Sequence, residues 1–576
     1  MKWLPIGVSL FMATVSIEIF LAISSASVKY GLASIHYLWF VTIFLLLAWL
    51  FVPVYWRSKT MTMSEFLEKR YGNIPRWFYT VSTLFFYAGV RIPLILLAAN
   101  CVIQCLFPQP LIPGVNNFLL CGTILIVLQA IITLMDGIRS IIHTQIFHAM
   151  LFLIALILIF AVGSEKFNGW TPMKKMVGEQ PAILYVDSHE SPALENAVKY
   201  SVEKTKHPEP WKPYHDASLP WLGFLLCMPV IGFWYCCTDQ YVTQRLLTQL
   251  DQTEGRRGAV FACFLSFVAI VMIVLIGFMV YAQVVQALHS NEEIAQRLKQ
   301  GEAIPVSELQ KNNIDVSVLE NPNAVVASMV KTLPPGLRGV AIAGVLAMLM
   351  SSLASLWHSG ATMITFDIYN KLVAHSEKRS LVFSGRIAMT GMMVLTLFLV
   401  PVAAMNDWSE PENIFRMCAF FAPPFVAVFL LGRLFSRINT LGCTAGMIAG
   451  FSLGLFCAVI SCFAQNVFAG GWMSHIGFSP TLLGTPDGKT LLGELATLHY
   501  SYLCAGLTVV CLLTTMIASF GAPAPNRERI MLLTLPTVSN EHKLITRESW
   551  TLTDVLVTII TAASFVLIFY LFSSAV

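Results

Sequence analysis

Thirteen apolar runs of membrane-spanning length, each closed by Pro, Gly or a cluster of charge, restrict what this chain can fold into. They lie near residues 4–28, 34–55, 78–106, 117–135, 141–163, 219–241, 258–286, 337–369, 381–405, 412–432, 440–464, 499–521 and 550–574. Hydrocarbon offers no partner to a backbone N–H or C=O, so runs of this length cross a bilayer as helices whose hydrogen bonds stay internal. The expected fold is an all-α polytopic membrane protein with about thirteen transmembrane helices. Only 12% of residues are charged, against about 25% in a soluble globular chain, which excludes a soluble enzyme. The net charge of +4 is scattered over loops, and a nucleic-acid partner is not expected.

Loop charge sets the expected orientation. Alternate loops on the side of the N-terminus carry Arg57, Lys59, Lys69, Arg70, Arg76, Arg139, Arg245, Arg256, Arg257, Lys371, Arg386, Arg433 and Arg437, while the short loops opposite carry Lys29 and Lys489. The positive-inside rule then places the N-terminus in the cytoplasm and the C-terminus outside, in a plasma-membrane protein. The first apolar run, longer than a signal-peptide core, is expected to be retained. Arg91 and Arg416 fall inside apolar runs and are functional candidates for that reason. The loop 164–218, with Pro181, Pro192, Pro208, Pro210 and Pro213, is too polar to span and is expected outside. The 13 cysteines sit in or beside spans, and no disulfide framework is implied. No nucleophile, metal or phosphate-loop constellation supports an enzyme.

Two spans carry chemistry. The first holds Ser9-Leu10-Phe11-Met12-Ala13-Thr14-Val15-Ser16-Ile17-Glu18 and then Ser24-Ser25-Ala26-Ser27. Such a stretch is able to break at mid-membrane and free carbonyls for a cation; hydroxyls bonding back to their own helix are the plainer alternative for it taken alone. The eighth reads Met348-Leu349-Met350-Ser351-Ser352-Leu353-Ala354-Ser355 and ends Thr365-Phe366-Asp367-Ile368-Tyr369. With Thr62-Met63-Ser64-Glu65-Phe66-Leu67, Arg70-Tyr71-Gly72, Leu219-Pro220-Trp221, Trp234-Tyr235-Cys236-Cys237-Thr238-Asp239-Gln240, Gln244-Arg245, Pro335-Gly336-Leu337-Arg338-Gly339 and Pro423-Pro424, the chain resembles the sodium/solute symporter family, in its sodium/glucose cotransporter branch.

The resemblance implies an inverted 5+5 repeat core with broken first and sixth helices. Residues 1–163 would form the first repeat, 164–218 an external loop, 219–432 the second repeat and 433–576 three peripheral spans. It further implies a Na+ site between the first and eighth spans, from the carbonyls of Met12, Val15 and Met348 and the hydroxyls of Ser351 and Ser352. Carbonyls and hydroxyls suit a small hard cation without a carboxylate. A second cation-related position, an acid in the cotransporter branch, falls on Gln145, beside Ser355 and Ala354, so one sodium per turnover is expected.

Positions that grip sugar hydroxyls in relatives correspond to Thr14, Ile19, Leu38, Ser266 and Phe415, with Tyr235 as gate aromatic and Cys236 beside it. Ile19, Leu38 and Phe415 offer no side-chain hydrogen bond, so typical sugar recognition is largely dismantled. Glu18, next to Ile19, and Arg416, next to Phe415, are expected to reach the central cavity from opposite halves, binding a zwitterion or acid or pairing with each other. The expected activity is sodium-coupled symport of a small organic solute (a sugar, polyol or related compound) by alternating access, with Na+ as co-transported ion. The expected partners are the solute, sodium and membrane lipids, with no obligate protein partner. The alternative is a non-transporting solute sensor or uncoupled carrier on the same fold.

Overall fold

The computed structural model describes residues 2–107, 109–165, 220–249, 251–291, 293, 296, 322–373, 378–405, 412–468 and 498–574. The external loop expected over 164–218 lies almost entirely outside the described residues. So does most of the stretch between the seventh and eighth spans.

Among the described residues, twelve helices are long and apolar enough to cross a membrane. The sequence divides the same apolar length into thirteen runs, and the difference arises at the N-terminus. The first span is interrupted: a helix over Trp3–Thr14 ends, Val15 (φ −94°, ψ 71°) and Ser16 (φ −80°, ψ 164°) leave the helical region, and a second helix runs Ile17–Tyr30. The leading piece has 12 residues, too few to cross alone. The trailing piece continues through a tight 3₁₀ segment, Gly31–Leu38, into the second span, so Ile17–Ser58 forms one nearly continuous helical path.

The second span is Trp39–Leu46 and Val52–Ser58 joined by a π-helical turn over Leu47–Phe51. The third is Asn73–Phe86 and Ile92–Leu106, joined by another such turn over Tyr87–Arg91. The fourth and fifth lie on one helical run, Asn117–Glu165, with apolar stretches at Asn117–Leu134 and Ile141–Glu165. The sixth runs Trp221–Gly232 into a π-helical turn, Phe233–Thr238, after which Asp239 is extended (φ −75°, ψ 128°) and the helix restarts over Gln240–Leu247. The seventh to tenth are Gln252–Ser290, Pro335–Met363 (continued by a π-helical turn, Ile364–Tyr369), Lys378–Ala404 and Asn413–Leu434. Thr440–Phe468, Tyr500–Phe520 and Leu552–Ser574 complete the chain.

The first span is the axis of the bundle, and all its residues from Ser9 to Val28 are buried. It packs on the fifth, seventh and eighth spans. Close approach depends on absent side chains: a Cβ at Gly277 would fall 1.6 Å from Ser27 Oγ, and one at Gly232 would fall 2.2 Å from the Phe40 carbonyl oxygen. The last span lies at the rim, with Leu552, Ile560, Val566 and Tyr570 exposed. A face of that composition is suited to lipid.

Candidate functional site

The break in the first span interrupts its hydrogen-bond ladder between Met12 and Val15, where carbonyls lose their helical partners. Two side chains from elsewhere take up part of the loss. Tyr235, in the π-helical turn of the sixth span, donates from its hydroxyl to the Ala13 carbonyl at 2.9 Å. Ser352, on the eighth span, accepts from the Ile17 amide at 3.3 Å and donates to its own Met348 carbonyl at 2.8 Å. Met12, Val15, Met348, Ser351 and Ser352 are all buried. The break therefore faces the Ser351-Ser352 pair across one helix–helix seam.

Ser351 and Ser355 join a polar network in which Arg245 is the member not expected from the sequence. Gln145 of the fifth span donates to Ser351 Oγ at 3.0 Å and to Ser355 Oγ at 2.7 Å. Arg245 donates to Ser9 Oγ at 2.6 Å, to Gln145 Oε1 at 3.1 Å and to Ser355 Oγ at 2.7 Å. Ser9 closes the ring on Gln145. A guanidinium thus stands among neutral hydroxyl and amide groups at the position where the resemblance implies a second cation.

Glu18 does not pair with Arg416. Its partner is Arg91, whose Nε lies 3.7 Å from Glu18 Oε1. Arg91 also binds Asp239 Oδ2 through NH1 at 2.9 Å and donates to the Tyr235 hydroxyl. Its guanidinium lies 3.6 Å from the Tyr241 ring centroid and 4.6 Å from that of Tyr235, an arrangement stabilised by the aromatic quadrupoles. Asp239 accepts from the Tyr87 hydroxyl and, as N-cap of the restarted sixth helix, from the Tyr241 amide. Arg416 lies instead over the Tyr500 ring at 5.9 Å, because it occupies the first turn of the tenth span, near the end of the bundle where Lys29 and Glu412 stand 3.8 Å apart.

The remaining solute candidates are dispersed. Thr14 bonds back to the Leu10 carbonyl at 2.9 Å, Ser266 is buried with its hydroxyl unpartnered, and Phe415 packs on Tyr37 and Phe40 with centroids 4.7 and 6.1 Å away. Phe40 in turn meets Tyr235 at 5.2 Å. Ile19 and Leu38 are buried.

One end of the bundle is tied by residues that looked like loop charge. Asp367 accepts from Thr62 Oγ1 at 2.7 Å and from Ser64, and its carbonyl accepts from Arg76. Arg70 donates to the Gly432 and Phe435 carbonyls, both at 3.2 Å. Tyr79 donates to the Thr238 carbonyl at 2.7 Å and the Met63 amide to Gln240 Oε1 at 2.9 Å. These bonds clasp the second, third, sixth, eighth and tenth spans together. Arg70, Arg76, Arg245 and Arg256 are buried, a hydrogen-bonding role that hydropathy does not reveal.

An all-helical, multi-pass bundle with an interrupted first helix facing hydroxyls on the eighth has the architecture of a secondary transporter. The sodium:solute symporter family model matches residues 1–450, and the chain belongs to that family. Similar relatives include the sodium/mannose cotransporter of Bos taurus, 26% identical over 94% of this chain and 84% of its own length. The sodium/myo-inositol cotransporter of Homo sapiens is likewise 26% identical, over 94% of this chain and 70% of its own length. Among solved structures, a Na+-coupled sialic acid symporter in a substrate-bound outward-open state shares the fold with a TM-score of 0.63, at 17% identity over 91% of each chain. These relatives are transporters, not enzymes, and sodium-coupled symport is the family's activity.

Proposed function

We propose that the protein takes up a small organic solute across the plasma membrane by alternating access, driven by one Na+ held between the first and eighth spans. Met12, Val15 and Met348 would supply carbonyl oxygens, and Ser351 and Ser352 hydroxyl oxygens. The observation that carries this reading is the bond from the Ile17 amide to Ser352 Oγ, 335 residues apart: it brings the helix break and the hydroxyl pair to one seam. A cation there would tie the two spans and favour solute binding through linkage. Gln145 and Arg245 would fill the second cation position, which supports a stoichiometry of one.

The sugar, mannose and inositol substrates of the relatives make a sugar, polyol or related compound the first class to test. Thr14, Glu18, Tyr235, Ser266, Phe415 and Arg416 are the proposed solute positions, Arg416 at the entrance. The N-terminus is proposed to be cytoplasmic and the C-terminus external. The buried Arg70, Arg76, Arg245 and Arg256 drop out of the loop charge, leaving Lys59, Lys69, Lys371, Arg527 and Arg529, among others, to set the bias. The test is uptake into proteoliposomes from a labelled solute panel, under an inward Na+ or K+ gradient. Ser351→Ala with Ser352→Ala is expected to abolish sodium dependence; sodium dependence unchanged in the double variant removes this seam from the mechanism. Uptake equal in Na+ and K+ would favour an uncoupled carrier.

A further inference from the structure

Glu18 is the most exceptional side chain of the bundle. It is fully buried, yet neither carboxylate oxygen has a hydrogen bond. Arg91 Nε, at 3.7 Å, forms a salt bridge beyond hydrogen-bonding reach, and the Ser16 hydroxyl stands beside the carboxylate as a neighbouring donor. Arg91 is already committed through its terminal nitrogens to Asp239 and Tyr235. A buried carboxylate is normally retained only where donors complete it. Here, two open acceptor atoms stand at the break of the helix around which solute is expected to bind.

The neighbourhood restricts what donor completes them. Glu18 is within electrostatic reach of Tyr235 and of Cys418, one turn along the tenth span from Phe415. Tyr37, Phe40, Phe415 and Tyr235 form a connected aromatic wall. A sugar or polyol needs several polar partners, whereas this wall offers mostly ring faces, with the Tyr37 and Tyr235 hydroxyls and one anionic acceptor. Ring faces and a carboxylate together recognise an organic cation. Of the neighbouring cations, Arg91 is shared between Glu18 and Asp239, whereas Arg245 is held by Ser9, Gln145 and Ser355, and Arg416 lies over Tyr500.

We propose that the solute is an organic amine with an apolar body, its ammonium bound by Glu18 and its body against Tyr37, Phe40 and Phe415. This rests on reading the break of the first span as the solute site. The test is thermal stabilisation of the purified full-length protein by benzylamine, phenethylamine and benzyltrimethylammonium, with benzyl alcohol, glucose and myo-inositol as comparators, in NaCl or KCl. At least one amine is expected to stabilise the protein while the comparators do not. Glu18→Gln is expected to weaken amine binding by roughly 10- to 150-fold, the worth of a charged hydrogen bond, while stabilisation by NaCl over KCl persists. Glu18→Asp, which keeps the charge, is expected to retain partial binding and carries the test if the Gln variant does not fold. Stabilisation by no amine, stabilisation by glucose or myo-inositol instead, or amine binding indifferent to Glu18 overturns the proposal. Loss of the NaCl effect in the wild-type protein, with amine binding intact, would count against the sodium seam and not against Glu18.

Discussion

Asp239 and Glu18 both face Arg91, and replacing each by its amide is expected to have unequal consequences. At an effective dielectric constant of about 20, unit charges separated by the observed 2.9 and 3.7 Å attract by about 5.7 and 4.5 kcal/mol. Coulomb attraction therefore hardly separates them. Hydrogen bonding does: Asp239 accepts from Arg91, Tyr87 and the Tyr241 amide, while no donor meets good hydrogen-bond geometry at the Glu18 oxygens. In Asp239→Asn, either the amide NH₂ meets the Arg91 donor or the Tyr87 hydroxyl loses its acceptor. A buried pair broken on one side costs about 3–5 kcal/mol. In Glu18→Gln, the loss of attraction is offset by no longer burying an uncompleted charge, which itself costs several kcal/mol, so the net change is expected within about 1 kcal/mol of zero. Thermal unfolding in a fixed detergent, scored as midpoint and recoverable monodisperse fraction, reads the difference. Equal destabilisation by the two variants would refute this reasoning and make Glu18 a structural ion-pair partner.

Two further outcomes are expected. Gly232→Ala drives a methyl group to within 2.2 Å of the Phe40 carbonyl oxygen and should cost about 1–3 kcal/mol through overpacking, measurable as a lowered unfolding midpoint. Asp367→Ala leaves Thr62 and Ser64 without their shared acceptor and removes a carboxylate 3.9 Å from Arg76, and should raise thiol labelling of a Cys introduced at Met63, as the clasp opens.

The helical architecture was legible because hydropathy is local: a run of apolar residues needs no knowledge of its partner. The break in the first span was expected from the family resemblance, since its Ser and Thr taken alone fit an unbroken helix with back-bonded hydroxyls. Pairings between distant segments were not legible. Glu18 meets Arg91 across 73 positions, with Arg91 at the end of a π-helical turn over Tyr87–Arg91, and no periodicity announces such a turn. Adjacency to Phe415 suggested that Arg416 enters the cavity, but successive helix residues point about 100° apart, and Arg416 lies towards Tyr500. Arg70, Arg76 and Arg245 counted as loop charge because they flank apolar runs, whereas their donors are consumed by carbonyls, hydroxyls and carboxylates of other spans. Among the described residues, the thirteen apolar runs fall on twelve spanning helices because the 3₁₀ segment Gly31–Leu38 joins the second half of the first run to the second run.

The central claim is that Na+ joins the first and eighth spans at Ser351 and Ser352. Hydrogen–deuterium exchange of the full-length protein, comparing Na+ with K+ at equal ionic strength, tests it most directly through peptides covering residues 10–20 and 345–356. Both peptides are expected to gain protection together in Na+, and both gains are expected to vanish in the Ser351→Ala, Ser352→Ala double variant. Exchange identical in Na+ and K+ at both segments, or a sodium effect that survives the double substitution, would contradict it.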